Sequence, residues 1–257
     1  MDSPSEQCVF IDGRPINFIV YGSGPKNVLC LSGTLGTWKM DFGPVLHKFD
    51  PAIYTVVVWD PPGYGKSRPP RRHYIAQVCR NDAQLALQLM RTPYAVFGWS
   101  EGGRTSFHLA DMGPDDVICG VEWGGVSGIS PQSSRYFKLI QDVNTWPPER
   151  RQMYEEIYEA SELATIWREQ CLFYVNTFEK VPGGSLPCRK ILPFIRQPFL
   201  IINGMKDRFM AEPSKYIADK IPNARYVTHD EGGHNIHIEQ KDWFFEVVFD
   251  FFDQVWK

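Results

Sequence analysis

Tyr94-Ala95-Val96-Phe97-Gly98-Trp99-Ser100-Glu101-Gly102-Gly103-Arg104 is the stretch on which the reading of the whole chain turns. Its opening residues form a short apolar run ending at a glycine, the pattern of a buried strand. Beyond Gly103 a helix is expected to about Asp111. A serine therefore stands on the turn between strand and helix, with Gly98 and Gly102 flanking it in G-x-S-x-G spacing. A serine on so sharp a turn has strained backbone angles, and neighbours without Cβ let the flanking chain pass closely. The turn also aims the next backbone N–H and the helix N-terminus at the place where negative charge would develop. Ser100 is the candidate nucleophile. An ordinary glycine-rich turn is the alternative, and the flanking strand and helix argue against it.

Working outward, short apolar runs alternate with helical patterns, as in units that build a parallel sheet. Val9–Ile11 and Ile16–Tyr21 flank Asp12-Gly13, a hairpin signal. Strands follow at Val28–Leu31 and Thr55–Trp59, the second almost continuously apolar. Residues 74–90 carry helical spacing, and Val117–Trp123 is a further strand. From 128 to 192 the pattern becomes helices broken at Pro147-Pro148 and Pro182-Gly183-Gly184, with no strand signal. Strands resume at Phe199–Asn203 and Ala224–Thr228, a helix is expected near Pro213, and the chain closes on an aromatic helix containing Trp243, Phe244, Phe251, Phe252 and Trp256. The expected architecture is an α/β-hydrolase fold: a core of 1–127 and 193–257 with a helical cap, 128–192, inserted into it.

A serine hydroxyl is a poor nucleophile until a base takes its proton. In this fold the chain order is serine, acid, histidine. That order leaves His229, His234 and His237. His229 ends a strand and His237 lies in the last helix, whereas His234 occupies the loop Glu231-Gly232-Gly233-His234. His234 is the candidate base, and His237 reads as a helix-surface or packing residue. A metal on His234-x-x-His237 lacks a third ligand, so none is expected. Asp207, in Gly204-Met205-Lys206-Asp207, is the candidate acid, and a solvated loop aspartate is its alternative. The other loop that could carry the acid, 124–141, contains no Asp or Glu. Backbone N–H groups of Thr34 and Glu101 are placed to form an oxyanion hole. Gly65-Lys66-Ser67 mimics the end of a phosphate loop, but the required first glycine is Asp60, and Pro69-Pro70 forbids the following helix. Asp60 reads instead as an acceptor of turn N–H groups.

Taken together, Phe42-Gly43-Pro44, Trp59-Asp60-Pro61-Pro62-Gly63-Tyr64-Gly65, Ser67-Arg68-Pro69-Pro70, the serine turn and Gly232-Gly233-His234-Asn235-Ile236-His237 resemble the valacyclovir hydrolase, or biphenyl-hydrolase-like, family. The likeness extends into the cap at Asp142-Val143 and Trp146. It implies hydrolysis of α-amino acid esters without a cofactor. It also implies that the acid following the nucleophile binds the substrate's α-ammonium, a position held here by Glu101, one methylene longer than the aspartate of the human enzyme. Read without the family, Glu101 is equally a helix-start carboxylate favoured by the helix dipole. Glu122, inside the apolar strand Val121-Glu122-Trp123, needs a partner or water; a second pocket carboxylate, an ion pair and a sheet-end position are its readings.

The composition adds exclusions. The chain has 257 residues, 43% hydrophobic and 22% charged, enough for one sizeable domain. A net charge of −3 gives no reason to expect nucleic acid or an anionic membrane, so a small-molecule ester is the expected partner and a monomer the expected state. The abundant Trp and Phe residues point to an aromatic core or an apolar pocket. Cys8, Cys30, Cys79, Cys119, Cys171 and Cys188 are scattered without metal or disulfide spacing, which fits a reducing compartment. The opening residues show no signal or transit pattern and no apolar run reaches membrane length, so a cytoplasmic protein is expected. Family members can carry a mitochondrial presequence. Two functional alternatives stand beside the esterase: a carbon–carbon bond hydrolase of the meta-cleavage-product type, and a hydrolase-fold binding protein. Against the first, a carboxylate at Glu101 would repel an anionic dienoate.

Overall fold

The computed structural model describes residues 4–90, 93–207 and 211–256. Eight strands form one sheet: β1 (Ser5–Ile11), β2 (Arg14–Tyr21), β3 (Lys26–Leu31), β4 (Tyr54–Trp59), β5 (Tyr94–Trp99), β6 (Val117–Trp123), β7 (Phe199–Gly204) and β8 (Ala224–His229). Their order is β1-β2-β4-β3-β5-β6-β7-β8. β1, β2 and β4 pair antiparallel, and every pairing from β4 to β8 through β3 is parallel. The first hairpin turns on Asp12 and Gly13, both with positive φ (50° and 73°), the backbone a tight two-residue hairpin demands.

The helices are α1 (Val78–Leu89), α2 (Glu101–Met112), α3 (Pro131–Ile140), α4 (Pro148–Glu155), α5 (Ala160–Lys180), α6 (Ala211–Lys220), α7 (Ile236–Glu239) and α8 (Lys241–Val255). Strand alternation sends neighbouring side chains to opposite faces, and each face is packed. Leu29, Leu31, Val57 and Trp59 join one core with Val96, Phe107 and Phe199. Val28, Cys30, Val56 and Val58 join the other with Phe97, Trp123, Phe244 and Phe252. The second core is aromatic, with Phe97 and Trp123 ring centroids 4.8 Å apart and Trp123 and Phe244 4.9 Å apart. Of the aromatic residues expected on the sheet, Phe244, Phe251, Phe252 and Trp256 are buried there, while Trp243 is only partly covered.

Three elements differ from their sequence expectation. The first strand starts at Ser5, earlier than its apolar stretch, because an edge strand pairs through its backbone whatever its side chains. α1 starts at Val78, not at 74, because the Arg72 N–H bonds the Gly63 carbonyl (3.1 Å) and holds the preceding residues out of a helix. The closing helix is two helices: Gln240 has φ −123° and ψ 41°, so His237 lies on short α7.

Between β6 and β7 the chain forms α3, α4 and α5. Leu163, Ile166, Trp167 and Cys171 of α5 bury themselves with Val143, Trp146 and Tyr158, and also with Leu35 and Tyr64 from loops at the strand ends. This third apolar cluster fastens the helices over the C-terminal ends of the parallel strands, where open α/β sheets bind ligands. Among the described residues no helix is long and apolar enough to cross a membrane.

Candidate active site

Ser100 follows β5 and has φ 56° and ψ −110°, a strained conformation for a residue with a side chain. The flanking glycines are required by space. A Cβ on Gly102 would lie 2.0 Å from the Leu31 carbonyl oxygen, and one on Gly98 would lie 2.6 Å from that of Gly102. Glu101 opens α2, so its N–H belongs to the helix end that has no intrahelical acceptor. The loop after β3 turns back through Leu35, at φ 58°, and the Gly33 N–H donates to Asp41 Oδ2 (2.9 Å). That bond ties down the backbone beside Thr34.

Asp207 follows β7 and His234 follows β8. Their loops are stitched together: Met205 N–H donates to the His229 carbonyl and Lys206 N–H to that of Gly232, both at 2.9 Å. His234 Nδ1 lies 2.6 Å from Asp207 Oδ2. A carboxylate there holds the proton on Nδ1 and leaves Nε2 able to accept one. Trp99 Nε1 donates to the His234 carbonyl (3.0 Å), linking the histidine loop to the serine turn. Ser100, Asp207 and His234 all line one cavity of about 560 Å³, together with Thr34, Arg104 and, from the segment between β6 and β7, Phe137, Tyr154, Trp167, Gln170 and Tyr174. The imidazole's hydrogen bond is to Asp207 and not to Ser100 Oγ; a nucleophile–base bond of this kind tightens in the complex with substrate.

His237 is fully buried and both its ring nitrogens are occupied: Trp123 Nε1 donates to Nδ1 (2.9 Å) and Nε2 donates to the Asp41 carbonyl (3.0 Å). Burial lowers its pKa to about 3, so it is a neutral packing residue with no nitrogen free for a metal. Asp60 accepts the backbone N–H groups of Trp38 (2.8 Å) and Lys66 (2.9 Å), as its turn position implies.

Of its three readings Glu122 fits the sheet-end position, as the penultimate residue of β6. It is fully buried, does not line the cavity and has no ion-pair partner among the described residues; Oε1 accepts the Gly125 N–H, and Oε2 bonds nothing. Burial raises its pKa to about 8. The folded chain therefore keeps this proton to about pH 8, while an unfolded chain loses it near the ordinary 4.5. The resulting stability is fully present below the lower value and falls with rising pH until the upper one. Glu122→Gln should flatten that fall, cutting the loss of unfolding free energy between pH 5 and 8 by about 3 kcal/mol. Denaturant titrations at the two pH values measure it; equal losses in both proteins would contradict a buried neutral acid.

Glu101 has a crowded carboxylate. It is 3% exposed and is ion-paired with Arg72, which also bonds Asp82 Oδ2 at 2.6 Å. Oε2 further accepts from Thr34 Oγ1 (2.9 Å) and Tyr74 Oη (3.0 Å), and Arg104 Nη2 lies 3.9 Å away. Burial opposes its ionisation, but Arg72 and Arg104 outweigh burial and hold the carboxyl below its usual range. Glu101 does not line the cavity; Arg104 and Asp41 do. Asp41 is a carboxyl that burial, aided by Asp60, pushes up to about 7 against the Gly33 N–H that favours its charge. Sequence reasoning passed over Arg72, Asp82, Arg104 and Asp41. Only Arg104 carried a signal, one helical turn after Ser100 on a helix already expected.

A strained serine turn, an acid–histidine pair and a cavity at the strand ends define the serine-hydrolase layout of an α/β sheet. The chain belongs to the alpha/beta hydrolase family, whose model matches residues 28–247. Within it, the chain is related to serine hydrolase BPHL of Mus musculus and of Homo sapiens, 33% identical to each over 251 residues, covering 95% of this chain and 84% of theirs. Among solved structures it is similar to a serine hydrolase involved in carbazole degradation, the CarC enzyme (TM-score 0.77, 16% identity, 98% of this chain and 100% of that one). The esterase RhEst1 from Rhodococcus sp. ECU1013 is similar as well (TM-score 0.71, 18% identity, 99% and 100%). These two structural likenesses concern the fold alone.

Proposed function

We propose that the chain hydrolyses carboxylic esters through an acyl-enzyme on Ser100, with His234 as general base and Asp207 as its orienting acid. The observation that carries this reading is the 2.6 Å His234–Asp207 bond at the wall of the cavity that contains the strained Ser100. Ser100 Oγ adds to the ester carbonyl as its proton passes to His234 Nε2. The N–H groups of Thr34 and Glu101 receive the oxyanion, and the alcohol leaves with the histidine's proton. Water then repeats the sequence on the acyl-enzyme and releases the acid. The insertion at 128–192 serves as the cap that covers the acyl chain.

Ester hydrolysis by this route predicts a burst. Mixing enzyme with 4-nitrophenyl butyrate should release about one equivalent of nitrophenol before the steady state, and the Ser100 peptide should carry a butyryl group. A linear time course with an unmodified Ser100 peptide would remove the acyl-enzyme reading and leave the binding-protein alternative.

The finer expectation, α-amino acid esters with Glu101 on the ammonium, is supported by the family resemblance. Opposing it, the Glu101 carboxylate is buried and already matched by Arg72. The same burial withdraws the objection to a carbon–carbon bond hydrolase, since a neutralised carboxylate repels no dienoate. Assay of a 2-hydroxy-6-oxo-dienoate beside an ester separates the two reactions.

A further inference from the structure

The charges that face the cavity differ from those the sequence led one to expect. Arg104 is 3% exposed, yet it lines the cavity, one turn along α2 from Ser100 and about 6 Å further down the helix axis. Its Nη2 donates to Tyr174 Oη (2.7 Å) and stands 3.9 Å from Glu101. Its remaining donors bond no protein group among the described residues, and a guanidinium has more donors than these contacts use. Glu101 and Asp82 are matched chiefly by Arg72, which lies between them. The buried cluster is thus neutral in sum, but its cationic end is the end presented to the acyl pocket.

The rest of the described wall carries one further arginine and two carboxyls. Arg150 lines the mouth, stacked 4.1 Å from the Trp146 ring centroid and with no acid in ion-pair contact among the described residues. Asp207 is engaged by His234. Asp41 is the one remaining carboxyl on the described wall, and with its pKa pushed up to about 7 it is about half neutral at that pH. Beside Arg104, Gln170 Nε2 donates to Thr34 Oγ1 while its buried Oε1 accepts from no group. Buried orphan acceptors are rare enough to require an explanation. An acceptor requires a donor, which a carboxylate lacks, so a water donating to Gln170 Oε1 and accepting from Arg104 supplies one.

We propose that Arg104 is a specificity residue that receives an anionic group on the acyl portion of the substrate, so that the preferred esters are monoesters of dicarboxylic acids. This rests on the esterase reading and names the substrate class of the same site. An ammonium beside Arg104 would meet a like charge. A carboxylate gains a charge-assisted bond to a guanidinium that burial has already stripped of water.

Monoethyl glutarate, ethyl pentanoate and valine ethyl ester present an anionic, a neutral and a cationic acyl group to the same alcohol. With wild-type protein, kcat/KM from ethanol release should be highest for monoethyl glutarate, by about 10- to 150-fold over ethyl pentanoate, the range for a hydrogen bond to a charged group. Arg104→Gln should erase most of that ratio, and Arg104→Lys should keep part of it. Equal rates for the anionic and neutral esters, preference for the valine ester, or a ratio unaltered by Arg104→Gln would each overturn the proposal. A binding arm needs no turnover: free glutarate should raise the wild-type melting temperature more than pentanoate does, and should lose that advantage in Arg104→Gln. Glutarate binding without hydrolysis of any ester would reject the esterase reading and keep the anion site; hydrolysis of ethyl pentanoate without glutarate preference would do the reverse.

Discussion

Ser100→Ala is expected to lower ester turnover by about 10⁴- to 10⁶-fold and to abolish labelling by a fluorophosphonate probe. The probe reacts only with a serine whose proton can be taken as the bond to phosphorus forms. One adduct, on Ser100, is therefore the expected product. His234→Ala should fall as far as Ser100→Ala, because either change removes the same proton transfer, and the double variant should be hardly worse than either alone. Asp207→Asn should cost about 10⁴-fold, since an amide at 2.6 Å from Nδ1 favours the wrong tautomer. His237→Ala gives the contrast. It strands Trp123 Nε1 and opens space in the aromatic core, so its effect should appear in unfolding and far less in turnover. Labelling at another residue, or a Ser100→Ala protein that still turns over, would sink the assignment.

The parts of this site that could be read in the sequence share one property: their position follows from local order along the chain. Ser100 sits between an apolar run and a helix, Asp207 and His234 each sit in the loop after an apolar run, and a parallel sheet brings such loops to one edge. The substrate wall has no such guide. Arg72 meets Asp82 and Glu101 only because the loop before α1 folds inward, and a loop's path is set by tertiary contacts. Asp41 reaches the Gly33 N–H from a helical turn whose sequence announces nothing. Glu122 could be singled out as a charge in an apolar strand, but its neutral state depends on the absence of a partner, which only the packed structure shows. The strand-to-helix order is a pattern of hydrophobicity, whereas the sign of a pocket is a balance among residues far apart in sequence.

Glu101→Gln tests that balance most sharply, and it should destabilise the fold by about 3–5 kcal/mol, the usual cost of breaking a buried ion pair by removing one partner. For a chain of this size that is a fall of roughly 10 °C in melting temperature. The substitution keeps the shape of the side chain and the backbone N–H assigned to the oxyanion hole. It removes the charge that holds Arg72 and steadies Arg104, both almost wholly buried. Arg72 keeps Asp82, which limits the loss, but one anion is then left for two buried cations. If Glu101 instead held the substrate's ammonium, the outcome would be inverted: an unfolding midpoint close to wild type, with kcat/KM on valine ethyl ester lowered about 10- to 150-fold relative to ethyl pentanoate. Denaturant unfolding and the two rate constants, measured on one preparation, therefore divide the readings. A cycle with Arg72→Met locates the energy. Combined with Arg72→Met, the destabilisation from Glu101→Gln should shrink or change sign, because the carboxylate is then the group left buried without its main partner. An undiminished cost there would place the stabilising contacts of Glu101 with Thr34 and Tyr74 instead of Arg72.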